Sequence, residues 1–457
     1  VLFRSFWVGY GSHVGMYNYD GSSNNTTGGF QDMVLYFASD KNANVTISIP
    51  SAGNGWTKTY KVLAGQITTT EALPKTGVDD SRLDVEGKSK KGIRIVSDVE
   101  IAAYAHIYNA SISGACLLYP VNNFGSEYSI LNYNQVSNQA YSYSYAFAIA
   151  TEDSTTIEVI PSANTLNNIK GDTIKVVLNK GEVYNIMGKL TSSTSPFFGE
   201  DLTGTKFKVV KSINGNTKKI AVFSGSGKLS LSCTNNAGSA DNFIQQSYPA
   251  TAWGQKFLTV PTKDMSNNYF RIAVSDSAAS VKVDGTLLEK SNLKNGFYYE
   301  YSSNTPNIIE SNKPIMTAQY ITSANSCGNS GIGGNGDPEM IYLSSIEQNV
   351  NNITVYSTPN SAINLHYINI IIPKNGLTTL KIDGTTPTGA IKHPSDSSFY
   401  YMQIPVNEGI HSIYSDSNFN SIVYGYGIAE SYGYNAGISR DRKSTRLNSS
   451  HEWISRM

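Results

Sequence analysis

Short runs in which apolar and polar residues alternate occur along the whole chain, and no stretch has helical periodicity. In VTISI, residues 45–49, and in IEV, residues 157–159, every second side chain is apolar. Such alternation places one face of a strand in a core and the other in water. Polar turn residues such as SDKNAN and TEDST precede these runs, which is typical of strands joined by short turns. The sequence therefore predicts an all-β protein.

One pattern occurs four times: an apolar residue, two variable residues, a glycine, two variable residues, and then Tyr, Ser or Thr. The four copies are VLAGQIT, LNKGEVY, LKNGFYY and VNEGIHS, with the glycines Gly65, Gly181, Gly296 and Gly409. Their spacing of about 115 residues is much longer than the roughly 20 to 50 residues of solenoid and propeller-blade repeats. A hairpin-like segment precedes each copy and a strand-like segment follows it. The repeat therefore has the size of a domain.

The two middle repeats also begin alike, with PVNNFGSEY at 120–128 and PATAWGQKF at 249–257. Each repeat holds about six or seven short strands in roughly 110 residues, which is the size of a β-sandwich. We therefore expect four tandem β-sandwich-like repeats, at residues 6–115, 116–240, 241–339 and 340–440. The alternative is one ring or propeller-like β domain made by closure of the four units, because FWVGYG at 6–11 and VYGYG at 423–427 are similar.

The two ends of the chain do not follow this pattern. Residues 1–5, VLFRS, and residues 441–457, DRKSTRLNSSHEWISRM, are what the two ends of a common short-read sequencing adapter encode. We expect both segments to be library artefacts, to be set aside like any cloning scar or tag. The true termini, the export signal and any anchor would then lie outside this sequence.

Composition and charge narrow the function classes. Lys plus Arg equals Asp plus Glu at 35 each, and charged residues make up 15%, against roughly 25% in typical soluble proteins. The charge balance gives no basic surface for nucleic acid or anionic lipid. No apolar run approaches the roughly 18 residues that a membrane helix needs, so we expect no membrane insertion in this part. The 30 Tyr and 39 Gly residues are typical of an extracellular β protein.

Three cysteines are too few for a disulfide scaffold, and their odd number leaves at least one thiol unpaired within the chain. Cys233 and Cys327 each lie in a loop rich in Gly, Ser and Asn, and they are the candidates for a disulfide in an oxidising compartment. Cys116 begins the apolar run CLLYP and is expected to be a small buried hydrophobic residue.

Motifs for catalysis are weak. GIGGNG at 331–336 matches GxGxxG but has no strand before it and no helix after it, so a flexible loop is the simpler interpretation. Gly87-Lys88-Ser89 ends like a P-loop, although Arg82 occupies the position of the first glycine. Ser224 and Ser226 lack the flanking pattern of a nucleophile elbow. We therefore expect no catalytic residue, no cofactor and no enzymatic activity.

Metal binding has little support either. The chain has no HExxH and no close Cys and His cluster, and His106 in AAYAHIY is expected to be a packed histidine. Asp241, Asp337 and Glu339 lie in sequence near the two loop cysteines. Carboxylates of this kind can hold Ca²⁺, but none fits a known spaced calcium loop, so capped turns are the expected role and no metal site is predicted.

The segment YNQVSNQAYSYSYAF at 133–147 is the strongest candidate for a binding surface. Tyrosine offers a stiff apolar face with a hydroxyl and loses little entropy on docking. Tyr141, Tyr143 and Tyr145 are therefore weak candidate contact residues. About half of the segment is expected only to line a sheet.

Many phrases together resemble the N-terminal domain family of the IgGFc-binding protein. They are FWVGYG, SDVEIAAYAH, CLLYPVNNFGSEY, ATEDSTTIEV, LNKGEVY, DLTGTKFKV, QSYPATAWGQKF, GDPEMIYL and ESYGYNAG, and they extend over residues 6–440. The resemblance implies a secreted or surface-displayed, non-enzymatic domain, found in a vertebrate mucus protein and in large bacterial surface proteins. It provides no binding residues that can be transferred position by position.

The leading expectation is an extracellular or cell-surface binding and adhesion module, bacterial in source, that recognises a glycoprotein, a mucin or a polysaccharide through loops on a stiff β frame. Immunoglobulin is a further partner that only the resemblance implies. A structural spacer of a large surface protein is the second alternative. An enzyme such as a glycoside hydrolase is the third, and it would need two facing carboxylates in a cleft.

Overall fold

The protein is all-β. The computed structural model describes residues 4–17, 29–50, 52, 55–109, 112–211, 217–233, 238–327, 336–358 and 363–438. Within these residues there are 33 strands and short 3₁₀ helices but no α-helix, which confirms the fold class predicted from alternation. The 3₁₀ helices span Val14–Met16, Gly77–Asp79, Val121–Asn123, Ala250–Ala252, Lys290–Asn292, Ile346–Gln348 and Lys374–Gly376.

A first set of strands forms a sandwich of two antiparallel sheets. Its strands are β1 Ser5–Val8, β2 Asp32–Ala38, β3 Ala43–Ser48, β4 Thr57–Val62, β5 Ile67–Thr69, β6 Gly87–Ser89, β7 Ile93–Ser97, β8 Ala102–Tyr108 and β9 Ser113–Leu117. The outer sheet has the order β1-β7-β3-β4 and the inner sheet the order β5-β2-β8-β9. Val45 and Ile47 of the outer sheet share one apolar cluster with Leu35 and Phe37 of the inner sheet, so the two sheets bury each other's apolar faces.

The second set repeats this design. Its strands are β10 Glu127–Ser129, β11 Gln135–Ser137, β12 Ser144–Ala150, β13 Thr155–Ile160, β14 Ile174–Leu178, β15 Val183–Met187, β16 Phe197–Gly199, β17 Lys206–Val209, β18 Ile220–Leu229 and β19 Asp241–Gln246. The outer sheet is β10-β17-β13-β14, and the inner sheet is β19-β18-β12-β15-β6. Strand β6 of the first set is thus an edge strand of the second set, which joins the two covalently and by hydrogen bonds.

In the third set one long strand belongs to both layers. The strands are β20 Gly254–Thr259, β21 Asn268–Val274, β22 Val281–Val283, β23 Thr286–Leu287, β24 Tyr298–Ser303, β25 Asn307–Ile321 and β26 Glu339–Tyr342. The first part of β25 pairs with β20 and β22. Its second part pairs with β21 and β26.

The fourth set has the same property. Its strands are β27 Val350–Ser357, β28 Ile363–Pro373, β29 Lys381–Ile382, β30 Ile391–Lys392, β31 Phe399–Val406, β32 Gly409–Gly427 and β33 Glu430–Asn435. The first part of β32 pairs with β27 and β29. Its second part pairs with β28 and β33.

One pairing scheme therefore recurs in all four sets. In each, the last strand, β9, β19, β26 or β33, pairs with the inner-sheet part of the strand before it. The sequence-based boundaries at 116, 241 and 340 divide β9 and β26 and assign β19 to the following repeat, whereas the hydrogen bonds keep each of these strands with the preceding sheet. The division into four repeats at those boundaries stays a proposal.

The four sets close into a ring around these last strands, as in the alternative fold prediction. Strand β9 contacts β19 and β33, and β26 also contacts β19 and β33. The Gln245 side chain on β19 donates to the carbonyl oxygens of Ala115 on β9, at 3.2 Å, and Gly433 on β33, at 2.9 Å. We call β9, β19, β26 and β33 the central strands.

Polar contacts also fasten the junctions between neighbouring sandwiches. The strongest is made by Arg271 of β21, which is fully buried. Its guanidinium donates to Asp201 Oδ2 at 2.6 Å, to the Asn132 carbonyl oxygen at 3.0 Å and to Glu300 Oε2 at 2.7 Å. Because Asn132 and Asp201 belong to the second sandwich, this buried cation joins the second and third sandwiches.

The repeated glycine marks the same turn in three of the sets. Gly65, Gly181 and Gly296 have φ values of 71°, 81° and 64°, in the left-handed region that glycine adopts readily. Each lies directly before an inner-sheet segment that pairs with the second strand of that sheet. Gly409 is different, because it follows β31 and begins β32. The sequence-based equivalence of this fourth glycine was wrong, since the corresponding turn of the fourth set, before Phe399, contains no glycine.

The two end segments contribute little to the described fold. Residues 1–3 and 441–457 lie outside the described residues. Ser5 begins β1 and pairs with Val96 of β7.

Candidate functional site

The segments that lead into the four central strands meet at one end of the ring. Ser113, Asp241 and Ser431 stand at the starts of β9, β19 and β33, and Asp337 stands just before β26. The Asp241 carboxylate accepts hydrogen bonds from the Ser113 and Ser431 amides, and the Asp337 amide donates to Ser431 Oγ at 2.7 Å. We call the described parts of the loops that run into these starts the axial loop end.

The tyrosine-rich segment lies beside this end. The Asn138 side chain donates to the Gly238 carbonyl oxygen at 3.4 Å, and Gln139 Oε1 accepts from the Lys228 ammonium at 3.3 Å. The loop before β12 therefore packs against the loop that leads into β19.

The three candidate tyrosines have different surroundings. Tyr145 is fully buried on β12, and Tyr143 is 8% exposed, so in this structure neither offers a ring face to a partner. Tyr141 is half-buried and has φ of 61°, a conformation that is rare for a bulky residue. Its ring stacks on Tyr17 with 5.7 Å between the centroids. Of the three, Tyr141 is placed best for a contact at the surface.

The two loop cysteines are joined by a disulfide. Their Cα atoms are 5.1 Å apart, within the usual range for such a bond. The bond links the loop before β19 to the loop before β26, and it lies against the hydroxyl of Tyr269, 2.7 Å from Cys233 Sγ. Cys116 is buried in β9, as expected, and burial raises the pKa of its thiol well above the ordinary value.

Four carboxyl groups are buried beneath the axial loop end. Asp241, Asp337, Glu339 and Glu430 are each at most 1% exposed. Three of them were noted in the sequence as loop residues near the cysteines, with capped turns as the expected role. The structure brings them together in the centre of the ring, where the Asp337 carboxylate accepts from Ser239 Oγ at 2.7 Å and Glu339 Oε1 accepts from the Met340 amide at 2.7 Å.

Burial dominates the electrostatics of this group. It raises the pKa of Asp337 to about 7. It also raises the pKa of Glu430 to about 8, and the carboxylate of Asp337 contributes in the same direction. The pKa values of Asp241 and Glu339 are likewise far above their ordinary values, because both groups are buried. These groups therefore hold protons at a pH where exposed carboxyl groups are ionised.

The ammonium group of Lys228 lies near three of the four carboxyl groups. Lys228 of β18 interacts electrostatically with Asp241, Asp337 and Glu430, although burial lowers its own pKa. In the described segments, no group of three or more His, Cys, Asp or Glu side chains is arranged to hold a metal ion.

A large concave surface lies elsewhere, between the third and fourth sandwiches. It has a volume of about 950 Å³, and its walls include Lys256, Asp284, Glu310 and Asp396. A second concavity of about 250 Å³ lies between the second and third sandwiches and contains Lys170, Lys206 and Phe297.

Two carboxylates of the larger groove, those of Asp284 and Asp396, do not have the properties of a general acid. Burial raises the pKa of Asp396, but hydrogen bonds from Lys256 and Ser398 outweigh it and bring the pKa to about 2. For Asp284, burial is again outweighed by hydrogen bonds, from Ser395 and the Ile308 amide among others, so that its pKa is lowered. A glycosidase acid needs a raised pKa.

In the described residues, the weak catalytic motifs lie in strands or are buried and hydrogen-bonded. Gly87-Lys88-Ser89 is strand β6, not a phosphate-binding loop. Ser224 is buried in β18 and donates to the Leu131 carbonyl oxygen at 2.8 Å. His106 is buried and its Nδ1 lies 2.9 Å from the Tyr36 hydroxyl. Of GIGGNG, residues 331–335 lie outside the described residues.

Sequence reasoning did not find Glu430 or Arg271. Glu430 stands in ESYGYN, far from the other three acids in sequence, and Arg271 stands in an alternating strand, NYFRIAV. The available signal for these two residues was a charged side chain among the apolar and aromatic residues of a predicted strand. Such a side chain can be identified as a buried charge only once its partners are known.

Comparisons with known proteins give one family. The model of a family described as "IgGFc binding protein" matches residues 114–425, which is more than half of the chain and lies within the 6–440 range of the sequence resemblance. No curated protein matches the chain. Among the described residues, no helix has the length and apolar character that a membrane span requires.

Two solved structures can be compared. One is described as a membrane anchored protein from Corynebacterium diphtheriae. Its sequence identity is 9%, the alignment covers 88% of this chain and 97% of that chain, and the TM-score is 0.11. The other is a tetra-tandem repeat in the extending region of a large adhesion protein, with 12% identity, 88% and 92% covered, and a TM-score of 0.10. At these TM-scores neither supports an argument about fold or function. The family match is the finding that identifies the chain, which belongs to the IgGFc binding protein family.

Proposed function

We propose that this chain is a non-enzymatic extracellular binding or adhesion module whose partner is a glycoprotein, a mucin or a polysaccharide. The observation that carries the proposal is membership of a family described by a binding activity. The burial of the axial acids and the lowered pKa values of Asp284 and Asp396 agree with a role other than glycoside hydrolysis.

The axial loop end is the proposed contact face. Its loops are supported by the central strands and by the Cys233 to Cys327 disulfide, and binding sites are commonly built from loops on such a rigid frame. Tyr141 supplies an aromatic side chain at the edge of this face. The groove beside Lys256 and Asp396 is the second candidate surface, because ligand sites are usually concave.

A spacer role is the alternative. Contacts among the four central strands make a closed arrangement, whereas a spacer made of independent sandwiches would need no such contacts. The closed arrangement therefore favours the binding role.

Binding is tested with the folded, disulfide-bonded protein on three immobilised panels: purified mucins, bacterial and host polysaccharides, and immunoglobulin G divided into Fc and Fab fragments. The expected result is saturable binding to members of one panel. Saturable binding to Fc alone would make immunoglobulin the partner, and no saturable binding on any panel would contradict the proposal.

The contact face is tested with Tyr141→Ala. We expect this substitution to weaken binding by about tenfold, which corresponds to about 1.4 kcal/mol, since an aromatic contact residue is lost. Tyr414→Ala is the matched control, because Tyr414 is 45% exposed on the outer part of β32, away from the central strands. Equal effects of the two substitutions would argue against the axial loop end.

A further inference from the structure

The buried centre of the ring contains more carboxyl groups than can be ionised there at the same time. Asp241, Asp337, Glu339 and Glu430 are all buried there, and among the described residues the Lys228 ammonium interacts with three of them, Asp241, Asp337 and Glu430. Full ionisation would leave a net charge of about −3 in a site shielded from solvent, and buried unpaired charge is strongly unfavourable. Protons must therefore be part of the assembled centre.

The acids are also distributed across separate elements. Asp241 belongs to β19, Glu339 to β26 and Glu430 to β33, and Asp337 lies just before β26. Repulsion among their ionised forms therefore acts between central strands rather than within one strand.

The hydrogen bonds across the centre depend on the same groups. Asp241 bridges the amides of Ser113 on β9 and Ser431 on β33, and three amide donors, counting that of Asn242, favour its ionised form. The Asp337 carboxylate is held by Ser239, and the Asp337 amide by Ser431. Burial and the neighbouring acids outweigh these donors and keep the pKa of Asp241 far above its ordinary value, so loss of protons from the four acids would set their charges against one another.

The other titratable groups of the centre do not relieve this repulsion. Cys116 of β9 and Tyr145 of β12 lie near Glu339 and are neutral while their pKa values stay raised by burial. His13 faces Lys228 and is kept neutral because burial lowers its pKa. Lys228 remains the cation that can balance a carboxylate.

We propose that the four carboxyl groups and Lys228 form a proton-dependent lock, which holds the central strands together at mildly acidic and neutral pH and loosens the axial loop end when it releases protons at alkaline pH. The lock acts on the axial loop end, which is the face proposed for binding. The proposal of the lock depends on the buried groups alone and does not require that binding function.

The sign follows from the raised pKa values. Asp337 and Glu430 titrate at about 7 and about 8 in the folded protein, against ordinary values of 3.8 and 4.5. Between those limits these two groups hold more protons in the folded protein than in the unfolded chain, so their contribution to stability falls as the pH rises from about 4 to about 8.

The test measures hydrogen exchange and melting temperature of the disulfide-bonded protein between pH 5.5 and pH 9. We expect the amides of residues 238–246, 336–343 and 430–435 to lose protection by about tenfold per pH unit for each proton released on opening. A smaller loss is expected in β3 and β4, which lie outside the central strands. Equal loss in both regions, or no loss at the centre, would overturn the proposal.

Isosteric neutral substitutions provide the second measurement. The variants Asp337→Asn, Glu339→Gln and Glu430→Gln, singly and combined, are expected to flatten the fall of melting temperature with pH, and the exposed Glu152→Gln is the control. An unchanged pH profile in the combined variant would refute the lock. Stabilisation of the unmodified protein by Ca²⁺ at pH 8.5 that the combined variant lacks would identify a cation site instead and would also overturn the proposal.

Discussion

At the scale of the residue, Arg271 is a fully buried charge with partners in two sandwiches. It contacts Asp201 and Glu300, and its guanidinium lies over the rings of Tyr133 and Tyr298 at 4.2 Å and 4.5 Å from their centroids. A buried ion pair contributes little beyond an apolar replacement of both partners, but the loss of one partner leaves an unpaired buried charge.

Arg271→Met is therefore expected to reduce the free energy of unfolding by about 3 to 5 kcal/mol at pH 7. The measurement is urea unfolding followed by tryptophan fluorescence, with Lys282→Met on the exposed side of β22 as the control. A loss below about 1 kcal/mol, the usual range for a surface pair, would contradict the buried role.

The loss of unfolding free energy in Arg271→Met is expected to become smaller at acidic pH. Burial raises the pKa of Glu300, but Arg271 and Lys294 outweigh it and lower the pKa overall. A carboxylate with a lowered pKa stabilises the folded state above its ordinary pKa and loses that effect as the pH falls through the folded value. The difference between the unmodified protein and Arg271→Met should thus narrow below about pH 4.5.

Some residue environments could be predicted from the sequence. Cys116 begins an apolar run and His106 stands among apolar strand residues, and both are buried. The tyrosine segment was expected to line a sheet in part, which holds for Tyr145. The gathering of Asp241, Asp337 and Glu430 could not be predicted, because it depends on the meeting of loops separated by about 90 residues.

At the scale of the element, the left-handed glycines fix the turns that return the chain to the inner sheets. Around Gly65 and Gly296 an added Cβ would meet nothing within 4 Å. The requirement for glycine there comes from the backbone conformation and not from packing.

Gly65→Ala is accordingly expected to reduce the free energy of unfolding by about 1 to 2 kcal/mol. Gly65→Asn should lose less, because asparagine tolerates the left-handed region better than alanine. The check is thermal or urea unfolding of the two variants together. An alanine variant as stable as the unmodified protein would show that the turn relaxes to negative φ.

The disulfide is the second element-scale constraint, with a sequence separation of 94 residues between its cysteines. Closing a loop of this length stabilises a protein by about 2 to 4 kcal/mol in typical cases. Combined Cys233→Ser and Cys327→Ser substitution should lower the melting temperature, and a reductant should lower that of the unmodified protein but not that of the double variant. A reductant effect of equal size on both would assign the change to another cause.

The positions of many strands and turns could be predicted from the local sequence. The four hairpin segments identified by alternation became β3, β13, β22 and β29. Gly409 is not equivalent to the other three glycines. The same seven-residue pattern with a central glycine also fits the hairpin between β31 and β32. Local patterns identify a turn, whereas the place of that turn in the sheet depends on pairing.

At the scale of the whole molecule, the apolar clusters cross the boundaries between sandwiches. One cluster contains Phe37 of the first set, Phe147 of the second and Tyr320 of the third. Another contains Tyr36 of the first set and Ile368 of the fourth. The sandwiches therefore depend on each other for burial of their inner faces.

Calorimetry of the disulfide-bonded protein should consequently give one cooperative transition, with equal calorimetric and van't Hoff enthalpies. Two or more separated transitions would mean that the sandwiches unfold independently. Size alone would favour the second outcome, so the experiment distinguishes shared cores from simple tandem repeats.

The continuity of β25 and β32 through both layers has a mechanical consequence. In the first two sandwiches the outer and inner layers are joined by the connections between β7 and β8 and between β17 and β18, while in the last two a single extended strand is hydrogen-bonded in both layers. A tensile load carried along that strand must shear two ladders at once, so the later half of the ring is built to resist sliding between its layers.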